Sequence, residues 1–380
     1  MFLCVVSTLS AEVRSGIGID VRPSYPFSSY KDDIMETMID TEDARKSRFA
    51  ASLHLKYNLV FSPDTPQGRY FPGAWQGIGA GVNLFGNPHG LGTPVSVYLF
   101  QGAPVWRIKD GLDLYYEWNF GLSAGWKPSD GHTARSNLIV GSKVNAYINV
   151  GAGLRWSLGD HYSLTAGIDL THFSNGNTSY PNPGVNMAGV RVGVVRMFGH
   201  EKKAATSPVP LTADTLRNER RFGIDLTLYG AWRKRVYRGG EEPVLLNGHY
   251  MVLGAQLNPM WRVGRVFRVG PSLDVQWDES TDLKRNYAEG TDSETIKFYR
   301  PEVGRQICYG LSARGELVMP FFSVNLGIGY NIIGPEETRA SYQMANLKIR
   351  LVKGLYANIG YQLLNFQKQN NLMLGMGYSF

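Results

Sequence analysis

Two side chains in "DLTHFSNGNTSYPNPGVN", Asp169 to Asn186, have types and a spacing that chemistry could use: His172 and Ser174. An imidazole within reach of a hydroxyl is the pairing from which serine nucleophiles are built, and acyl transfer is the reaction such a pair performs. On an extended strand, residues two apart share a face. That face is otherwise apolar, because Leu164, Ala166, Ile168 and Leu170 precede His172 in the same parity. A bare H-x-S is common, so the meaning of the pair depends on the element that carries it and on the solvent its face meets.

The dominant pattern along the chain is alternation. Val144, Ala146, Ile148, Val150, Ala152, Leu154, Trp156 and Leu158 form one parity, against Asn145, Tyr147, Asn149, Gly151, Gly153, Arg155 and Ser157. The same period of two runs through Phe322–Tyr330 and through Leu372–Phe380. It predicts strands with one apolar face and one small or polar face. Many strands reach about 10–14 residues, near the length that crosses a bilayer at a tilt. Tight connections (Lys109–Gly111, Gly159–His161, Lys353–Gly354) alternate with long polar ones (Ser28–Lys46, Lys127–Lys143, Thr281–Gly304). Short turns on one side and long loops on the other are the pattern of an outer-membrane β-barrel. Ser62–Ala74 breaks it, being long where a short turn is expected.

Composition agrees with an all-β fold. The 380 residues include 44 Gly, 21 Tyr, 17 Phe and 8 Trp. No run of 18 apolar residues occurs, which excludes a membrane-spanning helix. The apolar start, "MFLCVVSTLSA", reads as a signal segment over residues 1–14. Its removal would leave Cys308 without Cys4, so neither a disulfide framework nor a zinc site is expected. The net charge of +7 comes from scattered Lys and Arg with no basic helix, which argues against nucleic acid. It fits attraction to a phosphate-rich surface such as lipopolysaccharide.

Eight strands are expected over residues 15–198 and eight more over 221–380, joined by a charged, Pro-containing linker at 199–220. The halves open alike, with "GIDV" at Gly18 and "GIDL" at Gly223, and both close on an aromatic after an alternating strand. These matches point to a duplication, and to two tandem eight-stranded transmembrane antiparallel barrels ahead of one sixteen-stranded porin. In such a barrel the apolar parity faces lipid. His172 and Ser174 then point outward near the loop end. Asn186, with Ala188, Val190, Val192 and Val194 in its parity, faces the same way across the hairpin. Polar groups on a lipid wall are costly unless they lie near the interface or have a use.

"HFSNGNTSYPNPGVN" resembles the signature of the PagL lipid A 3-O-deacylases, also called acyloxyacyl hydrolases. The resemblance spans roughly Gly16–Phe198 and is specific around His172–Asn186. It implies an eight-stranded outer-membrane barrel of a Gram-negative bacterium, with a serine hydrolase site on the lipid-facing wall. By resemblance His172 is the base and Ser174 the nucleophile. Asn175, with Gly176 beside it, serves the oxyanion. Lipid A within outer-membrane lipids is the implied substrate, and no metal or organic cofactor is required. A terminal Phe also resembles the signal read by the barrel assembly machinery. Two positions depart from the family. Asn186 stands where characterised members orient the base with Glu; its carbonyl can still hold the tautomer, without a charge to stabilise imidazolium. Asn177 stands where the family often has Gly.

Other candidates read as structure. His54, His89, His132, His161, His200 and His249 show no ligand spacing. Asp20, Arg22, Arg155, Asp169 and Arg191 suit a polar barrel interior. Trp106, Trp126, Trp156, Tyr162, Trp232, Trp261 and Tyr378 suit interface belts. The second half offers "YQLLNFQKQNN", Tyr361–Asn371, where the repeat would place His and Ser, and has neither. A non-catalytic barrel, adaptor or porin, is the alternative.

Overall fold

The computed structural model describes residues 13–27, 49–63, 65–86, 88–128, 139–179, 184–199, 221–234, 236–237, 244–245, 248–264, 266–281, 287–288, 297–298, 301–319, 322–366 and 368–380. The first twelve residues, where a signal segment is expected, and nearly all of the expected linker lie outside them.

Eight antiparallel strands close the first barrel: β1 (Val13–Phe27), β2 (Ala50–Phe61), β3 (Trp75–Phe85), β4 (Gly92–Lys109), β5 (Leu112–Trp126), β6 (Val144–Leu158), β7 (Tyr162–Ser174) and β8 (Val185–Met197). Each pairs with its neighbour in sequence, and β1 closes on β8. Paired residues lead from Gly16 through Asn58, Gly77, Phe100, Asn119, Asn149, Thr171 and Met187 back to β1 at Pro26, ten residues further on. That stagger tilts the strands and leaves an interior wide enough only for side chains.

The second barrel closes separately from β9 (Phe222–Arg233), β10 (Tyr250–Val263), β11 (Phe267–Asp278), β12 (Ile307–Val318), β13 (Phe322–Ile333), β14 (Ser341–Val352), β15 (Leu355–Leu364) and β16 (Lys368–Ser379), with β16 pairing to β9. Two closed sheets replace the sixteen-stranded porin kept as an alternative. Cys308 is a buried free thiol.

Alternation decides which side chains fill each barrel. Outward residues such as Ile168, Leu170, Val190 and Val192 are exposed, as lipid-facing groups are without lipid. Inward Asp20, Arg22, Lys56, Glu117, Asp169 and Arg191 are buried together. Glu117 accepts from Lys56 Nζ at 3.0 Å, from Arg191 at 2.6 Å and from Trp75 Nε1 at 3.1 Å. Asp20 pairs with Arg22 at 2.8 Å and Lys56 at 2.9 Å, and Asp169 with Arg191 at 3.3 Å. Three carboxylates meet three cations, which is how charge is tolerated inside. Arg155 lies apart from them, its guanidinium 4.6 Å over the Trp75 ring. Inward glycines make room for large neighbours: a Cβ on Gly81 would fall 2.3 Å from the His54 ring. The second barrel repeats the scheme, with Asp225 bound by Arg268 and Lys348, and Asp274 by Arg314.

Two local features differ from expectation. Trp126 is 3 % exposed and donates to Ser123 Oγ at 2.7 Å, so it is not a belt residue. Gly125, at φ +99°, and a register shift between Gly92 and Val95 break the parity and turn the indole inward. The other six aromatics are exposed as expected. The long 62–74 connection contains a short helix, Pro66–Tyr70, capped by Thr65 Oγ1 accepting the Gly68 N–H at 3.0 Å.

Barrels plugged by ionic layers should carry no current. The protein in planar bilayers is expected to show no single-channel steps; large regular steps would contradict the filled interiors.

Candidate active site

β7 and β8 form the hairpin that carries the candidate residues. Their register sets His172 directly opposite Asn186, Leu170 opposite Ala188 and Ile168 opposite Val190. Across β6, Ser174 pairs with Ala146 and His172 with Ile148. Every one of these side chains belongs to the outward parity. From Tyr162 to Ser174 the strand climbs about 30 Å, allowing about 3.3 Å per residue and a typical barrel tilt. The site therefore stands at the loop end of an apolar wall.

His172 Nδ1 lies 2.7 Å from Asn186 Oδ1. The amide oxygen accepts the Nδ1–H, and this fixes the tautomer with Nε2 as the basic nitrogen. Among the described residues His172 makes no other hydrogen bond, so Nε2 is open towards a hydroxyl. Ser174 shares the face, is 8 % exposed, and makes no hydrogen bond to His172. Such contacts are commonly loose without substrate and tighten when it binds.

The chain turns sharply after Ser174. Asn175 is buried, Gly176 has φ +63° and Asn177 φ +71°. Asn177 thus takes the left-handed backbone that glycine adopts freely and that asparagine tolerates best among the rest. Tyr180–Pro183, part of the quoted motif, lies outside the described residues.

The structure brings His172, Ser174 and Asn186 onto one face, with Asn175 and Gly176 following in the chain. It adds Gly184, which sequence reading did not single out. The available signal was its place: outward parity, two residues before Asn186, just before a strand.

A Ser–His contact lies inside the same barrel, away from this wall. His54 Nε2 is 2.8 Å from Ser52 Oγ and Nδ1 is 2.8 Å from Tyr98 Oη. All three side chains are buried among the filling residues, out of reach of a lipid ester. In the second barrel, the outward positions near the loop end of β15 are Ile359, Tyr361 and Leu363, with no hydroxyl–imidazole pair.

Comparison with known proteins gives the family. The model for "Lipid A 3-O-deacylase (PagL)" matches residues 51–195, and that for "Acyloxyacyl hydrolase, C-terminal domain" matches 222–380. No curated protein matches the chain. Among solved structures, Neisserial surface protein A is 9% identical, covers 48% of this chain and 97% of its own, with a TM-score of 0.32. The outer membrane enzyme PagL is 14% identical over 48% of this chain and 97% of its own, with a TM-score of 0.22. The siderophore receptor PirA from Pseudomonas aeruginosa is 9% identical over 97% and 80%, with a TM-score of 0.25. The chain belongs to the PagL lipid A 3-O-deacylase family of Gram-negative outer-membrane β-barrels, its second barrel being the acyloxyacyl hydrolase C-terminal domain.

Proposed function

We propose that the first barrel removes one ester-linked acyl chain from lipid A, with Ser174 as nucleophile and His172 as base. The observation that carries this reading is the 2.7 Å contact from His172 to Asn186 on the lipid-facing wall, with Ser174 on the same face.

His172 Nε2 takes the hydroxyl proton as Ser174 Oγ attacks the ester carbonyl. The oxyanion of the tetrahedral intermediate is met by the Asn175 side chain and by N–H groups of the Gly176 turn. The imidazolium then protonates the departing sugar oxygen. Water, deprotonated by the same imidazole, hydrolyses the acyl-serine and releases a fatty acid. Asn186 holds the ring in the productive tautomer throughout. Its neutral amide lends no charge to the imidazolium, so the step is slower than with a carboxylate partner. The acyl chains of the substrate lie along Leu170, Ile168 and Val190, which is why no cavity inside the barrel is needed.

The test is mass spectrometry of lipid A from cells with and without the protein. Loss of one acyl chain is expected, and unchanged lipid A would overturn the reading. Asn186 grades it. Asn186→Leu frees the imidazole to take the wrong tautomer and should lower kcat roughly 10- to 100-fold. Asn186→Glu supplies a charge and should raise kcat about tenfold. Equal rates in all three proteins would remove Asn186 from the mechanism.

A further inference from the structure

Gly184 leaves a gap where the register would place an outward side chain. It lies one step beyond the Phe173–Val185 pair, so parity sets it across the hairpin from Ser174. Its φ is +77°. A methyl group there would sit 3.0 Å from His172 Cε1, 3.4 Å from Ser174 Cβ and 2.7 Å from the Phe173 carbonyl oxygen. The carbonyl belongs to the strand backbone and cannot retreat. The imidazole can shift, since its one hydrogen bond among the described residues is that to Asn186. On the other side of Ser174 stands Ala146. The hydroxyl is thus flanked by two of the smallest residues, Ala146 and Gly184.

We propose that Gly184 is a positioning residue for the hydrolysis. Its bare Cα abuts the ring edge between the two nitrogens of His172. It leaves the imidazole room to keep Nδ1 on Asn186 while Nε2 approaches Ser174 Oγ. Any side chain at 184 pushes the ring off one partner or the other. This rests on the Ser174–His172 reading given above.

The experiment measures kcat and KM on lipid A in mixed micelles for the full-length wild type, Ser174→Ala, Gly184→Ala and Gly159→Ala. Heat-modifiable gel mobility reports that each barrel is folded. Gly159 is the control: it sits in the β6–β7 turn at the opposite end of β7, with φ +66° and nothing within 4 Å of an added Cβ. Gly159→Ala suffers the same backbone strain without the crowding.

Gly184→Ala is expected to fold and to lose at least roughly 100-fold in kcat with little change in KM, since an error of about 1 Å in a reacting group has that effect. Gly159→Ala is expected to stay within about threefold of wild type. Gly184→Asn suits the left-handed backbone and adds more bulk beside the ring, and is expected to lose at least as much kcat in the folded protein. Three results would overturn the proposal: full kcat in folded Gly184 variants, an equal loss in Gly159→Ala, or a rise in KM with kcat intact. An active Ser174→Ala or an inactive wild type is a different result, and sinks the Ser–His reading itself.

Discussion

Ser174→Ala is expected to leave a folded barrel that no longer shortens lipid A, with the rate down by at least about 1000-fold. The residue is the sole proposed nucleophile, so no acyl-enzyme can form without it. Its removal costs the fold little. The side chain lies at the loop end of β7, its hydroxyl makes no hydrogen bond among the described residues, and it stands beside Ala146 and Gly184. Pairing it with His172→Ala sharpens the test. Nucleophile and base act as one unit, so the double variant should be no slower than either single one. A Ser174→Ala protein that still releases fatty acid would transfer the chemistry elsewhere. The buried Ser52–His54 pair would then need testing by the same substitution.

Glu117→Leu is the second large effect, and it is one of stability. Glu117 is 2 % exposed and is shared by Lys56, Arg191 and the Trp75 indole. Without it, three buried cations face two carboxylates, Asp20 and Asp169. An uncompensated buried charge costs about 3–5 kcal/mol. The urea midpoint of the refolded protein in detergent should fall accordingly. Adding Lys56→Met rebalances the layer, and the double variant should recover much of the loss, because both members of a buried pair are then gone. A midpoint unmoved by Glu117→Leu would mean that water reaches this layer.

The wall was legible in the sequence because lipid imposes a rule at every second residue. Leu164 to Leu170 and Ala188 to Val194 obey it, and so His172, Ser174 and Asn186 could be placed on one face from parity alone. Parity also separated the interior ions from the belts. It failed at Trp126, because the left-handed Gly125 resets the alternation, and a one-letter code does not print φ. It was silent on the stagger from Gly16 to Pro26, since any even shift preserves the pattern. The partners of His54 were illegible for a related reason. Tyr98 comes from another hairpin, and only the closed register brings it to the ring. The role of Gly184 needed distances as well, for parity gives a face but not how crowded it is.

The proposed reaction centre, on the outer wall of a barrel about 30 Å above the Tyr162 belt, would work in two dimensions. Its substrate is counted per area of leaflet, not per volume of solution. KM is then a mole fraction of lipid A among its neighbours, and diluting the suspension leaves occupancy unchanged while diluting the leaflet lowers it. The same wall, with Leu170 and Ile168 exposed, would face every lipid that drifts past, so neighbouring lipids would compete with the substrate for that strip. On the proposed function, rate would be set by the packing and composition of the outer leaflet, and the protein would read the state of the membrane that it edits.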